Sequence, residues 1–164
     1  MIGELMSYLW GQIYGIIAAL VGTVGFALIF KLKGKYIFWV AVSGFVMYII
    51  YLLMYHAYPS EFFAAFVATA FVAIVAEILA RMLKAPAMIF ITTSIVPIVP
   101  GSGLYYSMKN LLWRDWNGFV YRFKGMLSVA FGIVCGIIFV AAAFKVISSL
   151  ISKKIEKSDK DTDI

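Results

Sequence analysis

The sequence predicts an all-α integral membrane protein with about five transmembrane helices, the fourth of them broken by a Pro-x-x-Pro-Gly-Ser-Gly stretch. Of its 164 residues, 64% are hydrophobic and 13% are charged, whereas soluble domains carry roughly 45–50% apolar and about 25% charged residues. A water-soluble fold of this length cannot bury so much apolar surface. The apolar residues form runs of about 20, the length of a membrane-spanning helix, and do not alternate as barrel strands do. This pattern argues against a soluble enzyme, a disordered chain and a disulfide-linked scaffold.

The apolar runs divide the chain into a polytopic membrane domain, residues 1–152, and a polar cytoplasmic tail, residues 153–164. The predicted spans are residues 9–30, 36–58, 61–83, 86–110 and 123–149.

Few charges interrupt these runs. The first span has none, and because its leader carries Glu4 but neither Lys nor Arg, we expect a permanent span and not a cleaved signal. In the second, only His56 can gain or lose a charge near neutral pH, and the fifth has Lys145 near its end. The single cysteine, Cys135, has no partner for a disulfide or a metal. No nucleotide loop, nucleophile with a base, or metal-ligand spacing is present, so we expect no enzyme activity, cofactor or bound metal.

Lys and Arg mark cytoplasmic loops. They follow the first, third and fifth spans, which predicts five crossings with the N-terminus outside and the C-terminus in the cytoplasm. We therefore attribute the net charge of +6 to topology and expect no nucleic-acid partner. One loop disagrees, because four cations lie between the fourth and fifth spans, on the predicted outside. Either they face a vestibule or the fourth span is re-entrant; they are Lys109, Arg114, Arg122 and Lys124.

Small residues recur at helical spacing in three spans, and small residues let membrane helices approach closely. These stripes predict either packing within one bundle or contact with another subunit, including a second copy of this chain, and the first span is the preferred candidate for the second role. The stripes are Gly11, Gly15, Ala18, Gly22 and Gly25; Ala65, Thr69, Ala73, Ala76 and Ala80; and Ser128, Gly132 and Gly136.

The fourth span contains the strongest local signal. Pro97 and Pro100 each remove a backbone donor and clash with the preceding turn, and Gly101 and Gly103 permit a positive φ and close backbone approach. We expect a half-helix that ends just before Pro97, an extended stretch, and a second half-helix starting near Ser102, which is a natural N-cap.

Unwound backbone at membrane depth survives only where protein or a water-filled cavity covers it, and discontinuous helices recur at solute sites. Carbonyls freed by the two prolines suit an ammonium or hydroxyl group, and amides of the second half-helix suit a carboxylate. Ser102, Tyr105 and Tyr106 are close enough to the break to contact a solute. The alternative is a structural kink that binds nothing.

The third span carries a carboxylate, Glu77, and an intramembrane carboxylate predicts a functional role. Glu77 is a candidate for coupling transport to a proton. Arg81 lies four residues later on the same face, so the alternative is an ion pair that fixes the helix end.

Three stretches together resemble a known family. They are Ala76-Glu77-Ile78-Leu79-Ala80-Arg81, Lys84-Ala85-Pro86-Ala87, and Ile95 to Tyr106 with its P-x-x-P-G-S-G-L-Y-Y core. They resemble the threonine/serine exporter family, and the chain is similar to the small subunit that matches the family's C-terminal membrane half.

The resemblance implies a secondary-active, proton-coupled exporter in the plasma membrane of a bacterium, with threonine and serine as solutes or, in a two-subunit branch, succinate. It implies a larger membrane subunit that supplies the N-terminal half. The positions it marks are Pro97, Pro100, Gly101, Ser102 and Gly103, with Glu77 and Arg81 in the preceding helix. The competing interpretation is a membrane subunit that supports a partner without transporting anything itself.

Overall fold

The computed structural model describes the backbone of residues 2–162 and the side chains of residues 13–150. Throughout that part every regular element is helical, as the sequence predicts. The elements are α1 (Ile2–Ile29), α2 (Gly34–Ala57), α3 (Glu61–Leu83), α4 (Ala87–Ser94), a 3-10 turn (Val96–Ile98), α5 (Gly101–Leu112) and α6 (Trp116–Thr162).

Among the residues whose side chains are described, three helices are long and apolar enough to cross a bilayer by themselves: α2, α3 and the Trp116–Leu150 part of α6. The α4–α5 pair provides a fourth crossing if the two halves form one span. In α1, only the shorter apolar stretch Ile13–Ile29 has described side chains. The start of the predicted first span therefore lies outside the described side chains. Several spans are therefore present, and the count of five stays a prediction.

Tight turns end the helices. Lys84 closes α3 in the left-handed conformation, at φ 52°, and the Ala85 N–H donates to the Ala80 carbonyl at 3.1 Å. This closure satisfies a carbonyl that the end of the helix would leave free. At the other end of α3, the Ser60 hydroxyl accepts from the Phe63 N–H at 3.4 Å. The short connections fold consecutive helices back against each other.

Helix α3 lies at the centre of the bundle, between α2, α4 and, most extensively, α6. Its contact with α6 depends on two glycines. A Cβ on Gly132 would lie 2.5 Å from the Phe62 carbonyl oxygen, and one on Gly136 would lie 2.8 Å from that of Phe66. The small-residue stripes of the third and fifth spans therefore pack against each other inside the chain.

The stripe of α1 is only partly covered. A Cβ on Gly15 would meet the Tyr48 hydroxyl at 2.6 Å, so α1 and α2 approach closely there. By contrast, a Cβ on Gly22 or Gly25 would meet nothing within 4 Å. This part of the α1 face is open in the described chain.

Two apolar clusters fill the bundle. One surrounds Phe90 of α4, and the other contains Met47, Val72 and Ile98. Because Ile98 belongs to the 3-10 turn, the broken segment is anchored in the core. Many large apolar side chains point outward along the helices, as expected where lipid and not water surrounds the protein.

Helices α5 and α6 form a hairpin. Arg114 ends α5 at φ 59°, and the Asp115 carboxylate accepts from the Gly118 N–H at 3.0 Å to cap α6. The part of α6 with described side chains, Trp116–Leu150, has 35 residues, about 52 Å of helix, whereas the hydrocarbon core is about 30 Å thick. The helix therefore extends past the predicted 123–149 span on both sides, to Trp116 and to Thr162.

Candidate functional site

The fourth span breaks where the two prolines stand. Helix α4 ends at Ser94, Val99 is extended at ψ 125°, and α5 starts at Gly101. Pro97 and Pro100 have no backbone N–H to donate. The hydrogen bonds between them span three residues instead of the four of an α-helix: the Ile98 N–H donates to Ile95 O at 3.0 Å, and the Val99 N–H donates to Val96 O at 3.2 Å. The predicted break is confirmed.

The two halves meet at an angle of 49°. A bend of this size leaves α5 advancing in the same general direction as α4, whereas a re-entrant segment reverses its direction. The geometry favours a broken crossing over a re-entrant loop.

A cluster of hydroxyl groups holds the end of α4. The Ser94 and Ser43 hydroxyls lie 2.6 Å apart and are buried. Beside them, a Cβ on Gly44 would lie 2.8 Å from the Thr23 hydroxyl and 3.3 Å from the Ser94 carbonyl. The first half of the broken span is thus fixed to α1 and α2. Its other hydroxyls donate to carbonyls of their own helix, Thr93 to Ile89 O at 2.7 Å for example.

A cavity of about 800 Å³ opens on the other side of the break. Its wall is formed by the last turns of α2, the α2–α3 turn, the break itself, the start of α5 and the first third of α6. Its volume lies within the usual range of small-molecule sites. Five phenol rings contribute to its wall, from Tyr48, Tyr51, Tyr55, Tyr106 and Tyr121.

Five of the predicted site residues line this cavity: Pro97, Pro100, Ser102, Gly103 and Tyr106.

Two of the residues predicted to contact the solute do not line the cavity. A Cβ on Gly101 would meet nothing within 4 Å. Tyr105 is 66% exposed, packs edge-to-face on Tyr106, and faces a shallow surface with Lys109 and Trp113.

One detail of the prediction is wrong. Ser102 does not cap α5, because the helix starts at Gly101 and Pro100 occupies the cap position without a side-chain hydrogen bond. Gly101 and Gly103 do not use the positive φ that they permit, because both lie within α5. Gly103 does permit a close approach, since a Cβ there would lie 3.2 Å from the Met126 Cβ.

Three charged side chains of the cavity wall were not among the predicted site residues: Glu61, Arg122 and Lys124. For the two cations the sequence did carry a signal, because they lie in a loop that the predicted topology places outside. That topology predicted that they face a vestibule. Glu61 gave no such signal, because a carboxylate in the first turn of a helix is common. Only the fold shows that it faces the break.

Glu77 and Arg81 lie toward the other end of α3. Sixteen residues separate Glu77 from Glu61, about 24 Å of helix, and neither Glu77 nor Arg81 lines the cavity. Within the described side chains the two form no ion pair; the Arg81 guanidinium lies over the Phe144 ring, 5.4 Å from its centre. Glu77 is half-buried in the bundle.

Comparison with known families identifies this arrangement. Residues 15–155 match the family described as threonine/serine exporter, ThrE. The chain belongs to the threonine/serine exporter family. The match spans every element from the described part of α1 to α6, so the broken span and the cavity both belong to the exporter domain.

No curated protein and no solved structure matches the chain. Membership of the exporter family makes it a transporter, and its apolar helices make it a multi-pass membrane protein in contact with lipid. Among the described residues of this exporter domain, no group of three or more His, Cys, Asp or Glu side chains is placed to hold a metal ion.

Proposed function

We propose that this chain is the small subunit of a secondary-active exporter of small carboxylate solutes, and that the cavity at the break binds the solute. The observation that carries the proposal is the coincidence of unwound backbone, two cations and several tyrosines around one cavity in a transporter domain. Discontinuous helices that meet inside the membrane are a recurrent way to build a solute site.

The charges around the break suit a carboxylate. Arg122 and Lys124 supply positive charge on the α6 side. On the other side, the Leu104 N–H donates to Pro100 O at 3.1 Å, while the N–H groups of Ser102 and Gly103 belong to the first turn, where a helix supplies no acceptor. The positive end of the α5 dipole points the same way.

A larger membrane subunit completes the transporter in this proposal. The solutes implied by the family, threonine and serine or a dicarboxylate such as succinate, are much smaller than a cavity of about 800 Å³, so a second subunit would have to close it. The open α1 face at Gly22 and Gly25 is the candidate contact with that subunit or with a second copy of this chain. Loss of co-purification in Gly22→Leu would support this contact, and unchanged co-purification would exclude it.

Coupling and orientation complete the proposal. Glu77 is the candidate for the proton step, as a half-buried intramembrane carboxylate without an ion pair in the described part; an unchanged pH profile of efflux in Glu77→Gln would exclude it.

We place the chain in a bacterial plasma membrane with its N-terminus outside. Arg122 and Lys124 then face the outer vestibule, which accounts for the loop that disagrees with the positive-inside rule.

The test is efflux from vesicles that contain this chain with and without the proposed larger subunit. Labelled serine, threonine and succinate are followed. We expect efflux only with both subunits, and a fall of about tenfold or more in Arg122→Gln, because a charge-assisted contact to the solute is lost. Arg114→Gln is the matched control, since Arg114 ends α5 outside the cavity wall. Assembly without efflux of any solute would favour the alternative, a supporting subunit that does not transport.

A further inference from the structure

Glu61 is the first residue of α3, yet its side chain reaches across to α6. A Cβ on Gly125 would lie 2.6 Å from the Glu61 Oε2 and 3.3 Å from its Oε1. The carboxylate therefore occupies the space that Gly125 leaves by having no side chain. Glycine inside a helix costs about 1 kcal/mol relative to alanine, so helix stability does not account for a glycine at this position, whereas room for the carboxylate does.

The Glu61 carboxylate lies near cations but is paired with none of them. Arg122 and Lys124 precede Gly125 by three residues and by one on the same helix, and within the described side chains neither forms an ion pair with Glu61. The Arg122 guanidinium lies over the Tyr106 ring instead, 5.6 Å from its centre. The Glu61 carboxylate therefore does not link α3 to α6 through a salt bridge.

The cavity wall consequently carries both signs of charge. Glu61 is the only carboxylate among its lining residues, and it packs on α6 at Gly125, close in sequence to the cations Arg122 and Lys124. The remaining titratable groups that face the cavity are phenols: Tyr48, Tyr51 and Tyr55 from α2, Tyr106 from α5 and Tyr121 from α6. A solute with a carboxylate and an ammonium group can pair with both signs of charge. A dicarboxylate would bring a second negative charge toward Glu61 and would be rejected by repulsion.

We propose that Glu61 is a specificity-determining residue, which binds the ammonium group of the solute and selects a zwitterion over a dicarboxylate. This inference rests on the proposed function, because it assigns a role within the same cavity. Gly125 is its positioning residue, which keeps the carboxylate in the cavity wall.

The experiment compares serine with succinate in vesicles that hold both subunits. Glu61→Gln keeps the shape of the side chain and removes its charge, whereas Gly125→Ala keeps the charge and displaces it. We expect the ratio of serine to succinate efflux to fall by about ten- to a hundredfold in Glu61→Gln, because a hydrogen bond to a charged group is lost. The ratio should also fall in Gly125→Ala.

Two control variants separate selectivity from general damage. Asp115→Asn removes a carboxylate that lies outside the cavity and caps α6, and Gly34→Ala adds a methyl group where nothing lies within 4 Å. Both should keep the wild-type ratio.

The outcomes separate this inference from the proposed function. An unchanged ratio in Glu61→Gln, an equal loss of both solutes, or a wild type that exports succinate but not serine would each overturn the role of Glu61 and leave the exporter proposal standing. No efflux of any solute from the wild-type pair would instead remove the proposed function. If Glu61→Gln fails to assemble, the ratio in Gly125→Ala decides.

Discussion

Glycine and proline residues determine where these helices touch and where one of them stops. Gly132 and Gly136 bring α6 so close to α3 that a Cβ would meet backbone oxygens. Pro97 and Pro100 remove two backbone N–H donors, so the α-helical hydrogen bonding of α4 ends at Ser94. In a membrane, where helices gain little from hydrophobic burial against each other, such close contacts are a main source of stability.

Gly132→Ala should destabilise the protein by about 1–3 kcal/mol, the usual cost of overpacking. The added methyl group would lie 2.5 Å from a backbone oxygen that cannot move aside alone, so α3 and α6 must separate. Thermal unfolding in detergent measures the effect. Gly34→Ala is the control, because its Cβ would meet nothing within 4 Å and its unfolding temperature should not fall. Equal unfolding temperatures for Gly132→Ala and the wild type would contradict the packing account.

Local signals in the sequence predict some site residues and miss others. Pro97, Pro100, Ser102 and Gly103 could be found because a proline-glycine break is encoded within seven residues. Glu61 could not, because its role depends on α6 passing opposite it at Gly125, a contact between residues 64 positions apart. The cap position of Ser102 was wrong by two residues, because α5 already starts at Gly101 and Pro100 precedes it.

At the scale of elements, the broken span is the feature that organises the molecule. The first half is held in the core by the Ser43–Ser94 hydrogen bond and by Ile98. The second half bends away by 49° and packs mainly on α6. The sequence predicted that a break occurs, since prolines act locally. It did not predict the bend or the length of α6, because both depend on packing between helices.

Replacing both prolines, Pro97→Ala with Pro100→Ala, should reduce efflux several-fold while the protein still inserts. The change returns two N–H donors and removes the clash with the preceding turn, so a continuous helix becomes the favoured state. Vesicle efflux measures activity, and co-purification with the larger subunit measures assembly. Pro86→Ala is the control, because Pro86 stands at the start of α4, outside the break. Wild-type efflux in the double variant would show that transport does not need the break.

At the scale of the whole molecule, the described part of the chain is a membrane-embedded exporter domain with surfaces that nothing within it covers. Its cavity is open, and part of its α1 face has nothing against it. The fold class and the membrane character follow from composition and run length, which are properties of the whole sequence. The choice of solute and the direction of transport do not follow from composition or run length, because they depend on how the fold brings together side chains that lie far apart in the sequence, such as Glu61 and Gly125.

The central claim is that the break opens a water-filled cavity on the solute's path, and thiol labelling of Ser102→Cys tests it most directly. The native Cys135 is first replaced by Ser, and Ser107→Cys is the control, since Ser107 lies on the same helix but is fully buried. In the assembled transporter, the account predicts fast reaction of Ser102→Cys with a water-soluble thiol reagent, slowed by saturating serine, and no reaction of Ser107→Cys. A Ser102→Cys thiol that resists the reagent, or that reacts at the same rate with and without serine, would contradict the account.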